Sequence, residues 1–209
     1  MARFLVVFDV DSTLIEDEAI DLLAERAGTK DLVSQITERA MRGELDFASS
    51  LIERVATFQD LPESALAETS ERLRPTAGAA ELIAEIQRRS GVAAAVSGGF
   101  TQLLTPLQAK LNLDAVLANS LEVRDGKLTG KVSGTIVDRG AKADFLRKLS
   151  SDLGIDPHLT IAVGDGANDI DMIRTAGLGI AFCAKPKLRE AADLSVEIRD
   201  LRQLIGLLP

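Results

Sequence analysis

The residues best suited to chemistry lie near the start of the chain, in Phe8-Asp9-Val10-Asp11-Ser12-Thr13-Leu14. Two carboxylates at i and i+2 follow the apolar run Phe4-Leu5-Val6-Val7-Phe8, which reads as a strand buried on both faces. Carboxylates at the end of such a strand are costly unless something compensates their charge. A divalent cation acting with an anionic substrate would do so. A helix N-cap or an Asx-turn explains the same pattern without chemistry, and these seven residues do not separate the two.

Three later stretches supply what an anion-processing site needs. Thr160–Val163 reads as a strand ending in Gly164-Asp165-Gly166-Ala167-Asn168-Asp169. With Asp9, its carboxylates suit a hard cation with oxygen ligands such as Mg²⁺; first-turn charge against a helix dipole is the alternative. Ser97-Gly98-Gly99 follows the apparent strand Gly91–Val96 and precedes a helix over 101–111. A hydroxyl and free N–H groups there would hold an anion, or the serine would merely cap the helix. Lys142 falls in the first turn of a helix over 140–151. The dipole disfavours a cation there, so the lysine either faces an anion or snorkels to solvent. A carboxylate approaching a phosphate dianion at about 3.5 Å meets repulsion on the order of 10 kcal/mol at an effective dielectric of about 20. One Mg²⁺ and one lysine would offset it. Asp11 would then be free to protonate a leaving alkoxide and afterwards deprotonate water.

The elements that must position these groups alternate between strand and helix from Ala77 onward. That pattern predicts an α/β fold with a doubly wound parallel sheet and right-handed crossovers. In strand order 3-2-1-4-5 the strands ending at Asp9 and Asp165 flank the switch point, so their carboxylates share a crevice. Asp125-Gly126 between short polar-apolar runs predicts a β-hairpin. Residues 15–74 read as four helices, too long for an ordinary crossover. Gly28 and Gly43 are stops, Asp46 an N-cap, and Pro62 the first turn of the fourth helix. The expectation is a core domain of residues 1–14 and 75–209 with a helical cap of residues 15–74 inserted over the site. On the third helix Arg54 falls on the apolar stripe of Phe47, Leu51 and Val55. An inward arginine suits a substrate carboxylate, unless it lies at the stripe's edge.

Composition narrows the partners. With 24 Lys and Arg against 32 Asp and Glu, the net charge of −8 argues against nucleic acid and anionic membrane surfaces. A small anionic substrate would need a local basic site. The one cysteine, Cys183, excludes an intramolecular disulfide. No apolar run is long enough to span a bilayer, and Asp9 interrupts the first one too early for a signal peptide, so cytoplasmic location is expected. His158 and Cys183 read as a surface residue and a packed thiol.

Asp9-Val10-Asp11-Ser12-Thr13, Val96-Ser97-Gly98-Gly99, Lys142 and Gly164–Asp169 resemble the four motifs of the haloacid dehalogenase (HAD) superfamily, phosphatase branch. Within it the chain closely resembles the phosphoserine phosphatases. The likeness extends through Asp17–Asp21, Glu38–Met41, Asp60–Pro62, Pro75–Gly78, Asp125–Gly130 and Ala181–Pro186. It implies a HAD-like core with an inserted cap, and Mg²⁺-dependent hydrolysis of O-phospho-L-serine to serine and phosphate, as in serine biosynthesis. It further implies that Asp9 is the nucleophile and Asp11 the general acid and base. Asp9, Asp165 and the Asp11 carbonyl would hold Mg²⁺, supported by Asp169. Ser97, Gly98, Lys142 and Asn168 would bind the phosphoryl group. The cap would carry Glu18 for the substrate ammonium and Arg54 for its carboxylate, with Met41 and Phe47 as walls. From the residues alone Glu18 is equally an exposed first-turn acid, and Met41 and Phe47 equally cap core. A monomer or homodimer is expected, without the N-terminal regulatory domain of some family members. The open alternatives are transfer to another alcohol, hydrolysis of another small phosphorylated amino acid or alcohol, and a non-catalytic phospho-ligand sensor. Dehalogenation is disfavoured, because a halide leaving group needs no acid at Asp11.

Overall fold

A computed structural model describes residues 2–209. Strand β1 (Leu5–Phe8) is buried along its whole length. Alternation sends Val6 and Phe8 into one hydrophobic cluster, and Leu5 and Val7 into another on the opposite face. A strand covered on both faces belongs at the centre of a sheet, and β1 lies there. It pairs in parallel with β2 (Val92–Phe100) and β5 (Thr160–Gly164), with Leu5 opposite Val92 on one side and Thr160 on the other.

The seven-stranded sheet has the order β4-β3-β2-β1-β5-β6-β7. Strands β3 (Ala115–Arg124), β6 (Leu178–Phe182) and β7 (Leu194–Val196) continue the parallel pairing. Only β4 (Lys127–Ser133) runs antiparallel. It returns from β3 through Asp125 and Gly126, whose φ angles of 52° and 72° are those of a tight hairpin. The chain reverses direction across the sheet between β1 and β5, so their carboxyl ends open on one crevice, as expected.

Four helices separate β1 from β2: α1 (Ala19–Ala27), α2 (Lys30–Met41), α3 (Phe47–Ala56) and α4 (Ser64–Glu71). Gly28 closes α1 at a left-handed φ of 71°, and Asp46 caps α3 by accepting the Ser49 N–H at 2.7 Å. Buried Leu23, Val33, Leu51, Val55 and Phe58 join the cluster on the Val6–Phe8 face. The chain enters and leaves this block through one narrow paired connection. Ile15 bridges Pro75, the Glu16 N–H donates to the Arg74 carbonyl at 2.9 Å, and Arg74 pairs with Asp17 at 2.7 Å.

The remaining elements are α5 (Ala79–Arg88), α6 (Thr101–Leu111), α7 (Arg139–Leu153), α8 (Ile170–Thr175), α9 (Pro186–Arg189) and a 3₁₀ segment at Leu201–Leu207. Several local expectations need correction. β2 continues through Ser97–Gly99 to Phe100, with its β3 register shifting between Val96 and Phe100, so Ser97 opens no helix. Pro62 lies outside α4 because its segment pairs with the hairpin instead. The Asp60 N–H donates to the Leu128 carbonyl, and the Leu128 N–H to the Leu61 carbonyl, each at 2.9 Å. Towards the C-terminus, α9 spans four residues and the last segment is a 3₁₀ helix.

Gly164 ends β5 where an added Cβ would lie 2.6 Å from the Asp169 carboxyl carbon. Gly164→Ala is expected to destabilise the fold by roughly 1–3 kcal/mol, as overpacking of a tight site does, measured by the urea midpoint.

Candidate active site

The Asp9 N–H donates to the Val163 carbonyl at 2.8 Å, extending the β1–β5 ladder by one residue. The backbone then turns sharply. Asp11 remains extended, and Ser12 takes a left-handed φ of 57°. Asp9 and Asp11 both line the resulting crevice. Asp11 is held from two sides: Oδ1 accepts the Ala19 N–H at the start of α1 at 2.8 Å, and Oδ2 accepts the Ser97 hydroxyl at 3.0 Å. Ser97 Oγ also accepts the Gly99 N–H at 2.8 Å.

Asp9 is only 3 % exposed and Lys142 only 1 %. Lys142 reaches up from the first turn of α7, and its Nζ donates to Asp9 Oδ1 and Asp169 Oδ1, each at 2.6 Å. It therefore faces anions and does not snorkel. Asp169 uses its other oxygen to accept the N–H groups of Asp165 and Gly166 at 3.2 and 3.0 Å. One buried cation thus answers two buried carboxylates, with Asp165 beside them.

This imbalance governs the electrostatics. Burial, then Asp169, pushes the Asp9 carboxyl well above its ordinary value, and Lys142 only partly offsets this. Burial and Asp169 raise Asp165 to about 6. Glu18 sits at the exposed rim, yet its carboxyl is raised to about 7 by desolvation and by Asp11, although it accepts the Ser12 hydroxyl at 2.8 Å. Burial alone would lower Lys142; Asp169 and Asp9 outweigh it and hold the ammonium above its usual value. Carboxylate oxygens of Asp9, Asp165 and Asp169 lie within 4.8 Å of one another. Asp169 has both oxygens engaged. Asp9 keeps one oxygen free of Lys142, and Asp165 accepts no side-chain hydrogen bond from any described residue. An oxygen-rich pocket with surplus negative charge fits a hard divalent cation.

The crevice holds about 130 Å³ and brings together Asp9, Asp11, Glu18, Phe47, Arg54, Gly98, Asp165 and Asn168. Phe47 covers Gly98 so closely that a Cβ there would lie 2.8 Å from the ring. Arg54 is half-buried, and its Nε donates to the Ser50 carbonyl at 3.2 Å. It forms no ion pair with a described carboxylate, and burial lowers its pKa. Ser97, Lys142 and Asp169 stand behind the wall, as supports for Asp11 and Asp9. Met41 is not brought in: it is 77 % exposed, in a separate hollow that shares Phe47 and Arg54 with the crevice. The crevice also includes Gly99 of the Ser97–Gly99 stretch and Leu51 of the α3 stripe, together with Ile20 and Lys185, to which the residue patterns gave no role. For Lys185 the signal was its position just before Pro186 and just after an apolar strand.

The profile of the haloacid dehalogenase-like hydrolases matches residues 6–174. A phosphoserine phosphatase of Methanocaldococcus jannaschii is 48 % identical over 96 % of this chain and 95 % of its own length. The chain belongs to the haloacid dehalogenase-like hydrolases, in their phosphoserine phosphatase branch. A Mycobacterium tuberculosis phosphoserine phosphatase is 53 % identical over 92 % of the chain, which spans only 47 % of that longer protein. A solved phosphoserine phosphatase in a phospho-aspartyl intermediate analogue form superposes over both whole chains with a TM-score of 0.93 at 46 % identity. A substrate-bound phosphoserine phosphatase does so with a TM-score of 0.93 at 45 % identity. No helix among the described residues is long and apolar enough to cross a membrane.

Two outcomes follow from the charge imbalance. Lys142→Met leaves two buried carboxylates without their cation and is expected to cost about 3–5 kcal/mol at pH 7, less in acid where Asp9 protonates, measured by urea unfolding. The Asp165 carboxyl titrates near 6 in the fold against 3.8 unfolded. Its contribution is fully present below about pH 4 and is lost as the pH rises through about 6. Metal-free protein should therefore lose stability across that window, and a divalent cation added at pH 7 should restore it.

Proposed function

We propose that this chain is a Mg²⁺-dependent phosphatase that hydrolyses O-phospho-L-serine to L-serine and phosphate. The observation that carries the reading is the pairing of two differently held carboxylates, Asp9 and Asp11, with an arginine across the same crevice that forms no ion pair with a described carboxylate. Lys142 pins Asp9 Oδ1, leaving the other oxygen to attack phosphorus. That bond forms as the serine oxygen–phosphorus bond breaks, giving an aspartyl-phosphate. Asp11, fixed by Ala19 and Ser97, gives its proton to the leaving serine alkoxide. It then takes a proton from water as the water oxygen attacks phosphorus and Asp9 is released.

Asp9, Asp165 and the Asp11 carbonyl would hold Mg²⁺, with Asp169 fixing the Asp165 backbone. The cation would supply charge against the phosphoryl oxygens. Gly98 and Asn168 line the crevice where those oxygens would lie, and Ser97 and Lys142 act on the phosphoryl group through Asp11 and Asp9. Arg54 would hold the substrate carboxylate bidentately, and Glu18 its ammonium, whose charge would draw the Glu18 carboxyl back down. In this reading residues 15–74 are a cap on a core of residues 1–14 and 75–209. Phe47 walls the substrate, and Met41 joins it from the adjoining hollow. The half-buried free thiol of Cys183 suits a reducing cytoplasm.

Purified protein should release phosphate from phosphoserine with Mg²⁺ present, lose activity with a chelator and regain it on adding Mg²⁺. Asp9→Asn should abolish turnover. Arg54→Ala should lower kcat/KM on phosphoserine by roughly ten- to a hundredfold, the scale of a lost charged hydrogen-bonded pair. It should spare phosphate esters that lack a carboxylate. Release of no phosphate by wild type, or equal loss on all esters, would overturn the assignment.

A further inference from the structure

The crevice presents a kinetic difficulty to its own substrate. Its lining carries four carboxylates, Asp9, Asp11, Glu18 and Asp165, against two cations, Arg54 and Lys185. The third nearby cation, Lys142, is buried and committed to Asp9 and Asp169. The chain as a whole carries −8. Mg²⁺ would offset the surplus of the lining when bound, but a phosphomonoester dianion still approaches an acidic protein, whose field slows encounter.

Lys185 is placed to counter that field. It follows β6, and its backbone N–H donates to the Asp165 carbonyl at 2.9 Å, which anchors it beside the Asp165 loop. Pro186 restricts it to extended backbone, observed at φ −67° and ψ 153°. The residue is exposed, lines the crevice, and has no carboxylate within 4.0 Å among the described residues. Asp165 and Glu18 both lie within its field. Arg54 instead stands on the α3 wall, where its Nε donates to backbone. Lys185 is thus a cation on the sheet side of the mouth with no structural ion pair to maintain.

We propose that Lys185 is a substrate-binding residue that captures the dianionic phosphoryl group at the mouth of the crevice before it reaches Asp9. This rests on the phosphatase reading above. Its action is on encounter and affinity, while Lys142 and Asp11 serve the chemical step.

The test compares wild type with Lys185→Ala, Lys185→Glu and Lys185→Arg on phosphoserine with Mg²⁺, at low and high ionic strength. Lys185→Ala should lower kcat/KM roughly three- to tenfold at low salt, through KM, and Lys185→Glu should lower it further. Lys185→Arg should restore it. The gap should close near 1 M salt, where the screening length falls to about 3 Å. Calorimetric binding of orthophosphate with Mg²⁺ should weaken in the same order with the same salt dependence. That second readout needs no turnover, so it tests Lys185 even if phosphoserine proves not to be the substrate. Melting temperatures should match, because the side chain is exposed. Equal kcat/KM and equal orthophosphate affinity in wild type and Lys185→Ala at low salt would overturn the proposal. So would a loss indifferent to salt or one confined to kcat.

Discussion

The structure depends on one buried ion triad, Lys142 between Asp9 and Asp169. Charges taken out of water carry a penalty of several kcal/mol each, repaid only when geometry and hydrogen bonding are nearly complete. Here the three members come from the end of β1, the first turn of α7 and the turn after β5. Lys142 lies 133 residues from Asp9 and 27 from Asp169 in sequence. Only a sheet that places β1 beside β5, with α7 packed beneath them, can bring these groups together. The fold and the triad therefore specify one another. A strand slip of one residue would turn Asp9 to the other face and leave Lys142 without a partner.

The same triad divides labour between the two aspartates of the first motif. Asp9 meets a permanent cation and burial on all sides. Asp11 meets a backbone N–H and a hydroxyl, both neutral donors. One carboxylate is thus immobilised by charge and the other by dipoles. The left-handed Ser12 makes this division sterically possible by bending the chain between Asp11 and the start of α1.

Much of this was legible in the residues. Strand alternation, the Asp125-Gly126 turn, the Asp46 cap and the juxtaposition of Asp9 with Asp165 all follow from local rules, and the sheet order obeys the switch-point rule. Lys142 was readable because a first-turn cation contradicts the helix dipole unless it faces an anion. What was hidden came from tertiary pairing. Ser97-Gly98-Gly99 looks like a strand-to-helix turn, but β3 keeps the segment in the sheet. Pro62 looks like a helix start, but the hairpin claims its neighbours' backbone groups. Met41 was a pocket wall only through the resemblance, and α2 ends with its side chain facing solvent. Lys185 carried only the signal of lying between an apolar strand and Pro186, and its place at the crevice comes from where β6 ends in space.

The pairing of residues 60–63 with the hairpin has a mechanical consequence. The helices between β1 and β2 are joined to the sheet by two separate ribbons: the Ile15–Pro75 connection and the Pro62–Lys127 pairing. Near the second, the close approach of Gly130 to the Ala56 backbone leaves little clearance. The α3 helix also packs along β4, and the Ser70 hydroxyl of α4 donates to the Leu103 carbonyl of α6. The wall that carries Phe47 and Arg54 is therefore fastened to the core at several points far apart in sequence, so its position is not set by the chain's entry from β1 alone.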